Sequence, residues 1–378
     1  MKILILDTMY PKFLRSVGHF ESPEAEDTYE GVWQSLMATR FGVSDVYSHH
    51  LNLLGHQAHE LVANSPRLQG LWAKENGLRL SGALHDINPS VWSKVPLFSK
   101  VSHLLPTFQK LVLKQIEAIR PDVLYIQDLN FSPPTLLKEF KKHARYVVGQ
   151  IASPLPSGKI LSNFDLILSS LPNFVTFFHR HGINAAYLPI AFDTRVREEI
   201  TNVTRDIEVS FVGGISPQHN STIPLLSAIA SVVPHLEIYG YGVEHLQATP
   251  HLEELHRGEV WGLDMYRVLR RSRVTINRHI SIAENFANNM RLYEATGMGA
   301  LLITDRKDNL HKIFEIDEEI LAYSSSDEAK DLTLWAIDNP SKAKNIANAG
   351  QLRTLSSHTY SAGLSALNEE LQKLTKRP

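Results

Sequence analysis

Arg291 and Glu294 stand three residues apart in Asn288-Asn289-Met290-Arg291-Leu292-Tyr293-Glu294-Ala295, a stretch patterned as a helix, so the two side chains share one face. A guanidinium grips phosphate oxygens with paired donors, and a carboxylate accepts two neighbouring hydroxyls. The pair therefore suits a ligand with an anionic part and a hydroxylated part. Standing alone, it reads first as a solvated helix salt bridge worth about 0.3–0.5 kcal/mol.

A second candidate is Gly213-Gly214-Ile215-Ser216-Pro217, which follows the apolar run 207–212 and precedes a helix expected from about residue 219. Glycines at a strand-to-helix turn let backbone amides approach a phosphate, and the helix N-terminus adds donors and a favourable dipole. A tight left-handed turn is the competing reading. Gly240-Tyr241-Gly242 and Gly297-Met298-Gly299 are further glycine pairs. None has the third glycine of the dinucleotide fingerprint, and the last follows a helix, where glycine is a common stop.

Metal chemistry finds little support. The chain has no cysteine and 18 histidines. His49-His50 and His56 with His59 lack a carboxylate at ligand spacing, so they read as surface or packing residues. No metal or other cofactor is expected.

The elements that must position these residues are short apolar runs alternating with helical patterns. The runs are 2–7, 123–126, 146–148, 166–168, 209–212, 236–239, 274–276 and 301–304. Helical spacing appears over 104–119, 327–338 and 360–375. Such alternation predicts βαβ units and mostly parallel sheets. The polar, strand-free stretch 189–206 marks a domain boundary near 195–205. Two α/β domains so joined bind ligands at the carboxyl ends of their strands.

Composition excludes other classes. The chain has 378 residues, 43 % hydrophobic and 21 % charged, which rules out wholesale disorder. A net charge of −2, from 38 basic and 40 acidic residues, leaves no field for a dedicated nucleic-acid or anionic-membrane binder. No stretch approaches the roughly 18 apolar residues of a membrane span. A cytoplasmic protein, at most peripherally associated with membranes, is expected.

The stretch 206–362 resembles the CgeB-type (spore-maturation-protein-like) glycosyltransferases of the two-domain GT-B superfamily. The resembling residues include Ser210-Phe211-Val212-Gly213, Gly258-Glu259-Val260-Trp261-Gly262, Asn277, Asn289-Met290-Arg291-Leu292-Tyr293-Glu294-Ala295-Thr296-Gly297, Thr304-Asp305 and His358-Thr359-Tyr360. The Asn-x-Arg-x-x-Glu-Ala helix is the most specific part. In the first half, Phe41-Gly42-Val43-Ser44-Asp45, Gln127-Asp128, Gly149-Gln150-Ile151-Ala152-Ser153-Pro154 and Leu188-Pro189-Ile190-Ala191-Phe192-Asp193 are similar to the acceptor domain of such enzymes.

The resemblance implies α/β GT-B architecture with two Rossmann-like domains. Residues 1–195 would face the acceptor and 206–358 would hold a nucleotide-sugar donor. The segment 359–378 would be a C-terminal helix packing back toward the first domain. It further implies a metal-independent transfer to a hydroxyl of a surface polysaccharide, lipid-linked glycan or protein. Glu294 would hold the ribose. Gly213, Gly214 and the Asn288–Asn289 amides would meet the diphosphate, with Arg291 or Arg278 supplying charge. Trp261 would stack on the base or simply pack. Many retaining relatives carry two glutamates eight residues apart, whereas Glu284 precedes Glu294 by ten, so stereochemistry stays open. For an inverting transfer the base candidates are Asp128, just past its strand, and His19, in the loop where other GT-B enzymes keep a histidine. His85-Asp86 is a third option, and Tyr10, Trp33, Trp72 and Trp92 are candidate sugar-stacking or core aromatics. A sugar-nucleotide epimerase and a non-catalytic nucleotide- or sugar-binding assembly protein are the alternatives.

Overall fold

The computed structural model describes residues 1–78, 105–156, 158–215, 222–279 and 284–376. The chain divides into two compact units, one of Met1–Leu188 with Ala366–Pro378 and one of Pro189–Ser365.

The first unit is built on a six-stranded sheet of β1 (Lys2–Asp7), β2 (Gln57–Val62), β3 (Val123–Ile126), β4 (Tyr146–Gln150), β5 (Leu166–Ser169) and β6 (Ala185–Tyr187), in the order β2-β1-β3-β4-β5-β6. Every pairing is parallel. Ile3 through Leu6 and Val123 through Ile126 are all buried, as expected for strands covered on both faces. The register sets Leu6 beside Ile126, so Asp7 and the residues after β3 emerge side by side at the carboxyl edge. Near the opposite edge, His56 Nε2 lies 2.8 Å from Asn368 Oδ1 of the Tyr360–Thr375 helix.

The second unit carries a five-stranded parallel sheet of β7 (Ile207–Val212), β8 (Glu237–Tyr239), β9 (Ser272–Ile276), β10 (Leu301–Asp305) and β11 (Leu321–Tyr323), in the order β11-β10-β9-β7-β8. One core cluster gathers Val209, Phe211, Leu226, Ile238, Ile276 and Ile303; a second gathers Phe192, Val212, Tyr266, Leu292, Met298 and Phe314. Phe192 forms an isolated parallel bridge with Thr359: its N–H donates to His358 O (2.8 Å), and Tyr360 N–H donates to Phe192 O (3.1 Å).

All eight apolar runs read from the sequence are strands, and the helices Leu105–Ile119, Ser326–Asp338 and Tyr360–Thr375 fall where their spacing placed them. The helix expected from residue 288 starts later, at Arg291, because Asn289 caps it from outside: its Oδ1 accepts from Leu292 N–H at 3.3 Å. It stops at Gly299, left-handed at φ +80°, as the glycine pair there suggested.

Candidate functional site

At the carboxyl end of the second sheet the Arg291–Met298 helix presents its first turn. Arg291 Nη1 lies 2.8 Å from Glu294 Oε2, with side-chain exposures of only 14 % and 7 %, so the bridge is buried and the solvated reading does not hold. Arg291 Nε also donates to Val212 O at the end of β7 (3.1 Å), which ties the helix to the sheet. Tyr266 Oη donates to Glu294 Oε1 at 3.3 Å. Burial, then the Glu294 charge, push that phenol well above its ordinary value. Each carboxylate oxygen thus holds one partner and keeps lone pairs for another.

Around this pair the ends of β9 and β10 are cross-linked. Asn277 Nδ2 donates to Thr304 Oγ1 (2.8 Å), and Asn289 Nδ2 donates to Asn277 Oδ1 (2.9 Å) and reaches Arg278 O (3.4 Å). Arg278 Nη1 makes a long contact, 3.5 Å, with Thr222 Oγ1. His279 is fully enclosed, with its backbone N–H and Nδ1 both on Asp305 Oδ1 (2.9 and 2.6 Å); Lys307 Nζ lies 3.2 Å from Asp305 Oδ2. Burial pushes the Asp305 carboxyl up, but the hydrogen bond and charge of His279, with Lys307, outweigh it and leave it at about 2.

The glycine turn is tight for a packing reason. Gly213 N–H donates to Tyr239 O and Ile215 N–H to Tyr241 O, each at 2.9 Å, so the loops after β7 and β8 run together. Neither Gly213 nor Gly214 is left-handed; Gly240 (φ +130°) and Gly242 (φ +97°) are. A Cβ on Gly214 would overlap the Tyr241 ring, and one on Gly240 or Gly242 would overlap the carbonyl of Gly213 or Ile215. Tyr241 and Trp261 lie parallel within 6°, with centroids 6.1 Å apart, and Trp261 caps the Gly262–Arg271 helix. One unit thus brings together Gly213, Gly214, Arg278, Asn289, Arg291 and Glu294 near its strand ends, with the Trp261 pair on the adjoining loop. Ser216 and Pro217 lie outside the described residues.

The carboxyl end of the first sheet has a different character. Asp128 sits at the end of β3, as read from sequence, and caps a short turn: Oδ1 accepts from Asn130 N–H (3.0 Å) and Oδ2 from Thr8 Oγ1 (2.7 Å). Asp7, beside it at the end of β1, accepts from Thr8 N–H at 2.8 Å. Burial, opposed by that bond and aided by the Asp128 charge, raises the Asp7 carboxyl to about 7. Gln127 Nε2 is buried there with no partner among the described residues. His19 is 4 % exposed, with Nδ1 2.7 Å from Ser65 Oγ. Burial and then the Arg67 charge lower it to about 4. Tyr10 is 54 % exposed, while Trp33 donates Nε1–H to Glu60 O (3.0 Å) and stacks on His59. His85, Asp86 and Trp92 lie outside the described residues.

Sequence reasoning did not single out Asp7, since an acid ending an apolar strand is unexceptional until its burial beside a second acid is known. Nor did it assign a role to the His279–Asp305 pair, whose members are 26 residues apart. Among the described residues no cluster of three metal-ligating side chains occurs, and no helix is long and apolar enough to cross a membrane.

Residues 223–369 match the family described as "Glycosyl transferase-like". Among solved structures, sucrose-phosphate synthase from Thermosynechococcus elongatus superimposes with a TM-score of 0.63 at 11 % identity, covering 99 % of each chain. HepE from Anabaena, solved in complex with UDP-glucose, gives 0.62 at 13 % identity over 99 % of this chain and 100 % of its own. A glycosyltransferase from Rickettsia africae gives 0.59 at 12 % identity, with both chains covered completely. No curated protein matches the chain in sequence. The two parallel-sheet units have the GT-B fold, and the second carries the region matched by the glycosyl transferase-like family.

Proposed function

We propose that this glycosyltransferase moves a sugar from a nucleoside-diphosphate sugar to a hydroxyl acceptor, without a metal, as a member of the CgeB-type group. The second unit would hold the donor and the first the acceptor. The observation that carries the reading is Glu294: a buried carboxylate fixed at a helix start by Arg291 and Tyr266, with lone pairs left for ribose hydroxyls. A fixed acceptor of this kind loses little side-chain entropy on binding.

Arg291 already spends two of its donors on Val212 O and Glu294, so in this reading it orients the ribose acceptor. Arg278, whose side-chain contact among the described residues is the long one to Thr222, supplies charge to the diphosphate, with the amides before the Arg291–Met298 helix. Donors preset in this way stabilise a leaving diphosphate without reorganising. The parallel Tyr241–Trp261 pair offers an aromatic face to the base. HepE, solved with UDP-glucose, makes UDP the first nucleotide to try. The acceptor would be a surface polysaccharide, lipid-linked glycan or protein of the bacterial cytoplasm. At the first sheet, Asp128 or His19 would meet its hydroxyl.

A metal-free thermal-shift panel of UDP, GDP, CDP, dTDP and NAD tests the donor site. Ligand at about 100 times its dissociation constant adds roughly 2.7 kcal/mol, a shift of a few degrees. One nucleoside diphosphate should stabilise the wild type and fail to stabilise Glu294→Ala. Stabilisation by NAD alone would overturn the reading, and equal nucleotide affinity in the variant would remove Glu294 from the site.

A further inference from the structure

The second unit has a cavity of about 400 Å³ at the end of its sheet opposite Glu294, where Glu208 begins β7, Arg273 and Val274 begin β9, and Gly299 precedes β10. Its other wall is the junction of two helices, Ser326–Asp338 and Pro340–Ser357. The size falls within the roughly 300–1,000 Å³ of small-molecule sites. Amino ends of strands are not where α/β folds place their main ligand, so the donor reading does not account for this space.

The lining is chemically two-sided. Val274, Ala336, Ile337, Ala343 and Ala347 give an apolar floor, kept roomy by the three alanines. Arg205, Arg273 and Lys344 stand on the wall against a single acid, Glu208. Arg273 and Lys344 are exposed and have no ion-pair partner among the described residues. Among the described residues Arg205 donates to carbonyls only, those of Ser272 and Met298 (3.0 Å to the latter), and Arg270 donates to the same Met298 O at 3.2 Å. Burial and the Arg270 charge lower the Arg205 guanidinium to about 10, as expected of a locally positive site. Apolar walls beneath unpaired cations attract a molecule that is apolar at one end and anionic at the other.

We propose that this cavity binds a small amphipathic anion, a carboxylate or phosphate carrying a short apolar tail or ring, taken free from solution. The volume suits a molecule of that size and not a lipid bilayer surface. The site stands independently of the nucleotide reading, since no lining residue belongs to the donor site. Gly299 and Met298 nevertheless terminate the helix whose first turn carries Glu294.

Isothermal titration of the full-length protein with octanoate tests the proposal, with 1-octanol (tail without charge) and acetate (charge without tail) as controls. Saturable binding of octanoate is expected, at least roughly tenfold tighter than either control, a difference of about 1.4 kcal/mol. Ala347→Phe, which fills the floor, should abolish it. Arg273→Glu with Lys344→Glu, two exposed changes that leave the core intact, should weaken octanoate roughly tenfold and leave octanol unchanged. The proposal is overturned by absent binding at about 10 mM octanoate, by octanol matching octanoate, or by wild-type affinity in the charge-reversed variant. Association with phosphatidylglycerol vesicles without any response to octanoate would overturn it too.

Discussion

The two sheets handle acidic side chains in opposite ways. In the second unit Glu294 has the Arg291 guanidinium against it, and Asp305 has Lys307 and the hydrogen-bonded His279 ring. In the first unit Asp7 and Glu60 are desolvated with no ion-pair partner among the described residues. Asp7, at the carboxyl edge, faces Asp128 and rises to about 7; Glu60, midway along β2, is 3 % exposed, has one oxygen on Ser48 N–H (2.7 Å) and the other without a partner among the described residues, and burial raises it to about 8. Compensated charges are preset for a ligand of fixed shape. Uncompensated ones are poised to gain or lose a proton near neutrality.

The contrast is broken most directly at Glu294. Glu294→Ala leaves the Arg291 guanidinium buried without its partner, and about 3–5 kcal/mol of unfolding free energy should disappear in urea titrations; a loss below about 1 kcal/mol would mean the pair is not compensated as described. Glu60→Gln acts in the opposite sense. A carboxyl whose folded value lies above its unfolded one gives its stability at low pH and loses it as pH rises from about 4.5 to about 8. The variant should therefore be more stable than wild type by a few kcal/mol at pH 9, with the gain vanishing near pH 4. Asp305→Asn reverses that profile. Its folded value lies below 3.8, so stability is present above pH 4 and lost as pH falls toward 2. The variant should lose roughly 2 kcal/mol at pH 7 and converge on wild type in acid. Smallest is Tyr266→Phe, which removes one long hydrogen bond to Glu294 and should cost about 1 kcal/mol, read as a small fall in melting temperature.

What was legible in the sequence follows the same division. Strands buried on both faces announce themselves as unbroken apolar runs, and β1, β3, β7 and β10 were read that way. β2 escaped because Gln57-Ala58-His59-Glu60-Leu61-Val62 is an edge strand that mixes polar with apolar residues, Glu60 among them. β6 and β11, each of three residues at a sheet edge, leave too short a pattern to see. In the site, the helical spacing of Arg291 and Glu294 gave their shared face directly. Their burial did not follow from it, since Val212 O and Tyr266 arrive from 79 and 28 residues away. The glycines were visible as glycines, but only the crossing of two loops shows which of them a side chain would block.

The bridge between Phe192 and Thr359 also bears on how the molecule forms. It closes a loop of about 170 residues, and closure entropy grows as roughly (3/2)RT ln n. Contacts of such sequence separation are made slowly, after local ones. The second sheet and its helices should thus consolidate before the bridge does. Once made, it leaves that unit's two chain crossings as neighbours, so a permuted chain joining them through a short linker and opened at an exposed turn should keep the same sheet order.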